Sequence, residues 1–183
     1  SPPDSGNKDD VINEVECLNG LADAINVTDG AGAKSHMSAL ATAAILAQNG
    51  IEPILQFTTR DRNRIAIQGD LLGGWALDIP NILCLYGDEV KGGDQPDTKE
   101  VRDLDTIGIL RTAHEIKTKK MYPSGRKIND APEFFIGGAD TPFKINSDFN
   151  GLNLEKKIEA GVEFFQTQYV FEQDILKNYM LKL

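Results

Sequence analysis

The feature that most constrains the fold is a regular alternation of short apolar runs with segments of helical periodicity. Five runs have the length and composition of buried strands, and they span residues 22–29, 51–59, 81–87, 131–140 and 162–171. The run "NILCL" at 81–85 is apolar without polar alternation, which is typical of a strand covered on both faces. Strands that alternate with helices predict right-handed βαβ units and a parallel sheet.

Six helices are predicted between and around these strands, at 9–21, 32–50, 60–78, 102–120, 153–161 and 172–183. Ser35 is the expected cap of the second helix and Gly50 its stop. The third helix is expected to start at Thr59 or Asp61. Pro53 lacks an N–H, so regular pairing of the second strand is expected only from Ile54 onward.

The strand count leaves two architectures open. Five strands suffice for an open flavodoxin-like sheet, whereas a (β/α)8 TIM barrel has eight strands and usually ~250 residues. The opening Ser1-Pro2-Pro3 resembles the end of a strand that precedes the first helix, because two prolines cannot join a ladder. On that view, residues 1–183 form one domain that runs from the end of strand one through helix six of a barrel, and both architectures stay open at this point.

Composition excludes several classes of function. The 183 residues carry a formal net charge of -9, which disfavours a nucleic-acid binder because that role needs a basic surface. The only cysteines, Cys17 and Cys84, suggest neither a disulfide framework nor a zinc site. No stretch reaches the ~20 apolar residues that span a bilayer, and no signal segment opens the chain. A cytoplasmic protein that does not bind membranes is the expectation.

Polar or small residues follow every predicted strand. They are Thr28-Asp29-Gly30, Gln56 with Thr58-Thr59, Gly87-Asp88-Glu89, Gly137-Gly138-Ala139-Asp140 and Gln166-Thr167-Gln168. The carboxyl ends of parallel strands meet at one edge, where α/β folds place their ligand sites. Asp88 is therefore a candidate functional residue, although Gly87-Asp88 alone also fits a simple turn. Gln168 either satisfies backbone groups or binds a ligand.

Other chemical motifs are weak. His36 and His114 are far apart in sequence and lack a ligand pattern, so no metal site is predicted. The sequence contains no GxSxG, no GxxxxGK[ST] and no GxGxxG, so a nucleophile elbow, a P-loop and a Rossmann fingerprint are unsupported. Lys156 and Lys157 form either a solvated helix face or a phosphate contact.

Longer segments, taken in order, resemble a known family. "VTD", "LQFTTRDRNR", "LYGD", "DLDT", "FFIGGADTP" and "NLEKKIEAGVEFFQTQYVF" are similar to stretches of the flavin-dependent 5,10-methylenetetrahydrofolate reductases, and the likeness covers almost the whole chain. The resemblance implies a (β/α)8 TIM barrel that binds FAD at the strand carboxyl ends. On this reading, residues 1–183 are a single catalytic barrel domain that lacks strand one and the last two βα units. It also implies a ping-pong reaction, in which NAD(P)H reduces FAD and 5,10-methylenetetrahydrofolate then becomes 5-methyltetrahydrofolate.

The resemblance also implies roles for single residues. Asp88 would lie between flavin and folate and stabilise the cationic iminium of the opened folate ring, and Gln168 would contact the pterin. The residues expected at FAD are Thr28, Gln56, Tyr86, Gly87, Asp88, Ala139, Asn150 and Lys157. Gln56, Ala139 and Asn150 stand where some members have His, Tyr and Asp. The general acid would be a Glu two residues before Ser1, outside this chain.

A non-catalytic reading stays open beside the reductase. In it, the chain is a flavin- or folate-binding barrel subunit that needs a partner chain, because an unclosed barrel exposes two strand edges. For the reductase we expect a homo-oligomer of unspecified size.

Overall fold

The computed structural model describes residues 1–142 and 151–182. Within them lie five strands and six α-helices, which confirms the predicted count. The strands are β1 (Ile25–Val27), β2 (Pro53–Thr58), β3 (Asn81–Leu85), β4 (Phe135–Asp140) and β5 (Phe164–Thr167). The helices are α1 (Lys8–Val15), α2 (Ala39–Gln48), α3 (Arg64–Ala76), α4 (Thr106–Lys119), α5 (Leu152–Glu159) and α6 (Gln173–Met180).

All five strands are parallel and lie in the sheet in chain order, β1 to β5. Chain order in a parallel sheet, with a helix between each pair of strands, is the arrangement of a (β/α)8 barrel. It excludes the reordered strands of an open doubly wound sheet. The described residues therefore form a five-stranded arc with a TIM-barrel-like order, and the closed barrel remains an expectation.

One face of the arc is packed against helices. Val27, Leu55, Phe57, Ile82, Cys84 and Ile136 belong to the core on that side. Because side chains alternate along a strand, the opposite, inner face carries the residues between them. The register aligns Gln56, Leu83, Gly137 and Phe164 in one row across that face, and Leu85 with Thr58 in the next.

Gly137 allows this row to pack closely. A Cβ on Gly137 would lie 2.3 Å from the ring of Phe164, so the aromatic side chain needs the glycine beneath it. Phe164 also stacks on Phe135 at 4.8 Å between ring centroids. The inner face is thus aromatic near the amino ends of β4 and β5 and polar near the carboxyl ends of β1 and β2.

Several predicted boundaries were wrong for local reasons. Helix α2 begins after Ser38, not Ser35, because the Ser38 hydroxyl accepts the Ala41 N–H at 3.2 Å. Helix α3 begins only after Asn63, whose side chain accepts the N–H groups of Ile65 and Ala66. Pro53 itself opens β2 opposite Ile25, since the first residue of a strand can lack its N–H.

Two further helix ends have the capping residues expected of them. Asp105 caps α4 by accepting the Gly108 N–H at 2.6 Å, and Gly50 follows α2 with a left-handed backbone. Strand β5 stops at Thr167, four residues short of its predicted end. None of the helices in the described part of the chain is long and apolar enough to cross a membrane.

Candidate functional site

A buried ion-pair network holds the carboxyl ends of β1 and β2 together. Asp29 is only 8% exposed, and its Oδ2 accepts the N–H and the hydroxyl of Thr58, both at 2.9 Å. Arg62 donates to both oxygens of Asp29, at 2.6 and 3.2 Å, and to Asp70 of α3 at 2.9 Å. Burial opposes the charge of Arg62, but the Asp29 and Asp70 carboxylates together outweigh it and raise the pKa of the guanidinium. We call Asp29, Thr58, Arg62 and Asp70 the ion-pair network.

Arg60 lies beside this network and fixes the loop that carries Asp88. It is 4% exposed, and its guanidinium donates to the carbonyls of Gly30 and Asp88 at 3.1 and 3.4 Å and to both oxygens of Asp61. The Asp88 carboxylate in turn accepts the Gly32 N–H at 2.7 Å. The acid is exposed, yet it is held from two sides by groups that follow β1 and β2.

Gly87 shapes the same loop. Its φ of +87° is a left-handed conformation, and a Cβ there would lie 3.0 Å from the Cβ of Thr58. A side chain would therefore be strained by its backbone and by its neighbour. The glycine lets β3 end against β2 and turn Asp88 toward Gly32.

Tyr86 presents its ring at the next position along this edge. The guanidinium of Arg102 lies 3.8 Å from the ring centroid, which is a cation–π contact. Arg102 also donates to the carbonyls of Tyr86, Gly87 and Asp88, and pairs with Glu100 at 2.5 Å. The Arg102 hydrogen bond, with a second from the Val90 N–H, lowers the pKa of Glu100 to about 2.

A cleft of about 500 Å³ opens beside Tyr86, where β3 and β4 end near the first turn of α4 and one side of α5. We call it the rim cleft. It is lined by Cys84, Leu85, Tyr86, Thr106, Ile107, Ala139, Asp140, Thr141, Asn153, Lys156 and Lys157. Burial raises the pKa of Cys84 to about 12, so its thiol stays protonated and is no nucleophile at neutral pH. The lysines give the cleft the character of an anion site.

The two lysines differ in their surroundings. Lys157 is half-buried and donates to the carbonyl of Ala139 at the end of β4. Lys156 is exposed, and among the described residues its ammonium has no hydrogen-bond or ion-pair partner. The Asp140 carboxylate on the same wall accepts a hydrogen bond from the Tyr179 hydroxyl of α6.

The structure places the residues predicted for FAD in two neighbouring groups. Thr28, Gln56, Gly87 and Asp88 lie around the ends of β1, β2 and β3, while Tyr86, Ala139 and Lys157 line the rim cleft. Gln56 is 8% exposed and its Oε1 accepts the Asp29 N–H at 3.3 Å. The hydroxyl oxygen of Thr28 is buried without a partner among the described residues. Asn150 lies outside them.

Gln168 does not line the rim cleft, but its backbone lies next to Asp140, which does. It follows the end of β5, is exposed, and its backbone N–H donates to the carbonyl of Asp140 at 2.9 Å. This hydrogen bond continues the β4–β5 ladder by one residue and fixes the backbone of Gln168 at the carboxyl edge. The side chain remains accessible to a ligand.

Sequence reasoning missed the residues that hold this site together. Arg60 and Arg62 come from the quoted segment "RDRNR", Arg102 directly precedes the quoted "DLDT", and Tyr179 lies outside every quoted segment. Two arginines two residues apart directly after a strand, with acids after the neighbouring strands, were a usable signal for buried ion pairs. The partners of Arg102 and Tyr179 had no such local signal.

The histidines do not contribute to this site. His36 pairs with Asp4 at 2.5 Å, and the ring of His114 on α4 packs where a Cβ of Gly161 would be. In the parts of the chain that are described, no group of three or more His, Cys, Asp or Glu residues is placed to hold a metal ion.

Comparison with known proteins gives one family. Residues 1–183, the whole chain, match the family described as methylenetetrahydrofolate reductase. No curated protein matches the sequence. The family match covers every strand of the arc and every residue of the rim cleft. The chain therefore belongs to the methylenetetrahydrofolate reductase family.

Proposed function

We propose that the protein reduces 5,10-methylenetetrahydrofolate to 5-methyltetrahydrofolate with FAD as cofactor and NAD(P)H as electron donor, in a ping-pong order. The family match supports the folate reaction. The observation that carries the proposal furthest is the position of Asp88. It follows the carboxyl end of β3, where its carboxylate accepts the Gly32 N–H and its carbonyl accepts a hydrogen bond from Arg60. The proposal includes a cytoplasmic homo-oligomer.

The residues at the carboxyl edge fit the cofactor. FAD combines a flat apolar ring system with an anionic pyrophosphate, and the edge offers an aromatic ring at Tyr86 and ammonium groups at Lys156 and Lys157. The buried Thr28 hydroxyl, without a partner among the described residues, supplies a hydrogen-bonding group of the kind a ligand would use. Gln56, Gly87, Ala139 and Asn150 complete the proposed contacts. When bound, FAD would supply the hydride chemistry that no side chain provides.

Asp88 would act on the folate by electrostatics. Its carboxylate is exposed to an incoming ligand, while Gly32 and Arg60 hold its position. A fixed negative charge stabilises the positive iminium that forms when the folate ring opens, without reorganisation at the moment of reaction. Gln168 would hydrogen-bond the pterin from the end of β5.

The test separates the two half-reactions. The purified protein is incubated with FAD, freed of excess cofactor and examined for retained flavin absorbance. NAD(P)H is then added without folate to measure flavin reduction, and folate reduction is measured afterwards. Asp88→Asn keeps an oxygen that can accept the Gly32 N–H and removes only the charge. Glu89→Gln, a change in the next exposed acid, is the matched control.

We expect Asp88→Asn to retain flavin reduction and to slow folate reduction by roughly 10²-fold, the scale of one lost electrostatic contact in a transition state. Glu89→Gln should change neither step. Equal loss of both half-reactions in Asp88→Asn would contradict the role given to the acid. Flavin retention with no folate reduction by the unsubstituted protein would favour the non-catalytic subunit.

A further inference from the structure

Asp140 occupies a wall between two clefts. It ends β4 and is half-buried, and it lines both the rim cleft and a second cleft of about 560 Å³ between α5 and α6. We call the second one the outer cleft. Its lining is mostly apolar and includes Leu154, Ile158, Phe165 and Met180. The Asp140 carboxylate can therefore turn either to the rim cleft, which contains the lysines, or to the mostly apolar outer cleft.

Attraction to the lysines would draw this carboxylate into the rim cleft. Lys156 and Lys157 line the same cleft as Asp140, and opposite charges attract strongly where water is partly excluded. The described contacts nevertheless include no ion pair between Asp140 and either lysine. Lys157 donates instead to the neighbouring carbonyl of Ala139.

Tyr179 supplies the competing interaction from the other side. Its side chain lines the outer cleft, is 2% exposed, and donates its hydroxyl to Oδ2 of Asp140. Burial and the neighbouring Asp140 charge both raise the pKa of the phenol, so the hydroxyl remains a donor throughout the physiological range. Helix α6 thus fixes the direction of a carboxylate at the end of β4.

We propose that Tyr179 is a positioning residue that holds the Asp140 carboxylate away from Lys156 and Lys157 and keeps both ammonium groups available to the pyrophosphate of a dinucleotide. The inference deepens the proposed function and rests on it for the identity of the ligand. Without the Tyr179 hydroxyl, Asp140 would turn to the lysines and compete with the phosphate oxygens for them.

The experiment measures binding and not turnover. Dissociation constants are determined for FAD, inorganic pyrophosphate and riboflavin with the unsubstituted protein, Tyr179→Phe, and the double variant Tyr179→Phe with Asp140→Asn. Riboflavin carries the flavin ring but no phosphate, so it reports on the ring site alone. Thermal unfolding of each variant checks that the fold is intact.

We expect Tyr179→Phe to raise the dissociation constants of FAD and pyrophosphate about fivefold, the upper end of the effect of one exposed ion pair. Riboflavin binding should not change. The double variant should regain the affinity of the unsubstituted protein, because it has no carboxylate left to compete. A packing defect would not be repaired by a second substitution of this kind.

The remaining outcomes separate this inference from the proposed function. Unchanged pyrophosphate affinity in Tyr179→Phe, or no recovery in the double variant, would overturn the role of Tyr179. If the unsubstituted protein binds pyrophosphate but not FAD, and Tyr179→Phe weakens pyrophosphate, the FAD proposal fails and the role of Tyr179 stands. Binding of neither ligand by the unsubstituted protein would overturn both.

Discussion

The carboxyl edge of the sheet is built differently at its two ends. Around β1, β2 and the start of the Asp88 loop, charged groups are buried and paired: Asp29 is 8% exposed and Arg60 4%. Around β4 and β5, polar and aromatic groups face solvent, with Tyr169 and Phe171 about nine-tenths exposed. The charged groups of the first region have their hydrogen bonds made before any ligand arrives, whereas the Thr28 hydroxyl there is buried without a partner among the described residues. The second leaves its lysines and Gln168 accessible.

This difference indicates that the first region mainly stabilises the fold and that the second mainly binds a ligand. Burying a charge is costly unless it is paired and hydrogen-bonded, so the ion-pair network contributes to the fold only while it is complete. Lys156 is exposed and costs little to leave unpaired, and Lys157 uses only one of its three N–H groups on Ala139, so both lysines keep donors for a ligand. Substitutions in the first region should therefore act on stability, and substitutions in the second on binding.

The largest expected effect follows from breaking the ion-pair network. Arg62→Met would leave the Asp29 carboxylate buried with only Thr58 to donate to it. Removing one partner of a buried pair costs about 3–5 kcal/mol of unfolding free energy, because the other charge stays buried without compensation. Urea denaturation at neutral pH measures this loss.

Arg64→Met is the matched control for Arg62→Met. Arg64 also pairs with an acid, Asp103, but the arginine side chain is 57% exposed. Exposed pairs contribute about 0–1 kcal/mol, so this variant should unfold close to the unsubstituted protein. Equal losses for Arg62→Met and Arg64→Met would show that the first region does not depend on burial of its charges.

The next effect belongs to the second region. Lys157→Met removes the ammonium that donates to Ala139 at the end of β4 and lines the rim cleft. We expect pyrophosphate and FAD to bind about tenfold more weakly, the scale of one hydrogen bond to a charged group, with little change in unfolding free energy. Titration of each ligand measures the first quantity and urea denaturation the second.

Lys119→Met removes a lysine that pairs with Glu115 on α4, outside the rim cleft, and serves as its control. Neither ligand should bind it more weakly. If Lys157→Met instead lost stability and kept its affinity, the second region would be a supporting element like the first.

The sequence predicted the parts of this comparison that depend on periodicity. Apolar runs and helical spacing predicted five strands and six helices, and the strand ends predicted an edge with Asp88 and Ala139 on it, to which the resemblance added Tyr86. These predictions tolerate small errors in strand boundaries, because a strand whose predicted end is wrong by two residues still ends at the same edge of the sheet. The start of α3 was wrong because Asn63, and not Thr59 or Asp61, supplies the cap.

Pairing between charges was not predictable in the same way. The segment "RDRNR" alone does not indicate which arginine is buried. Arg62 pairs with the buried Asp29, whereas Arg64 pairs with Asp103 near the surface. That choice depends on which residues of distant segments come within about 3 Å, and hydrogen-bond geometry is specific at that scale. The contact between Tyr179 and Asp140 joins residues 39 positions apart and depends on the same long-range geometry.

The smallest expected effect lies where the two regions meet. Glu100 anchors Arg102, whose guanidinium covers the Tyr86 ring and binds the carbonyls of the Asp88 loop. The pKa of Glu100 is lowered from 4.5 to about 2 in the folded protein, so its ionised form is stabilised by folding. That contribution is complete above the unfolded pKa and is lost as the pH falls through the folded one.

Glu100→Gln should therefore lower the melting temperature by a small amount near neutral pH, and the difference from the unsubstituted protein should shrink as the pH falls from about 5 to about 2. Melting curves across that range measure it, with Glu89→Gln as the control. A difference that stays constant with pH would mean that Glu100 acts through shape and not charge. The variant could also show a melting-temperature difference that shrinks at low pH together with weaker FAD binding at neutral pH. That result would show that the Glu100–Arg102 ion pair orders the Tyr86 ring for the ligand.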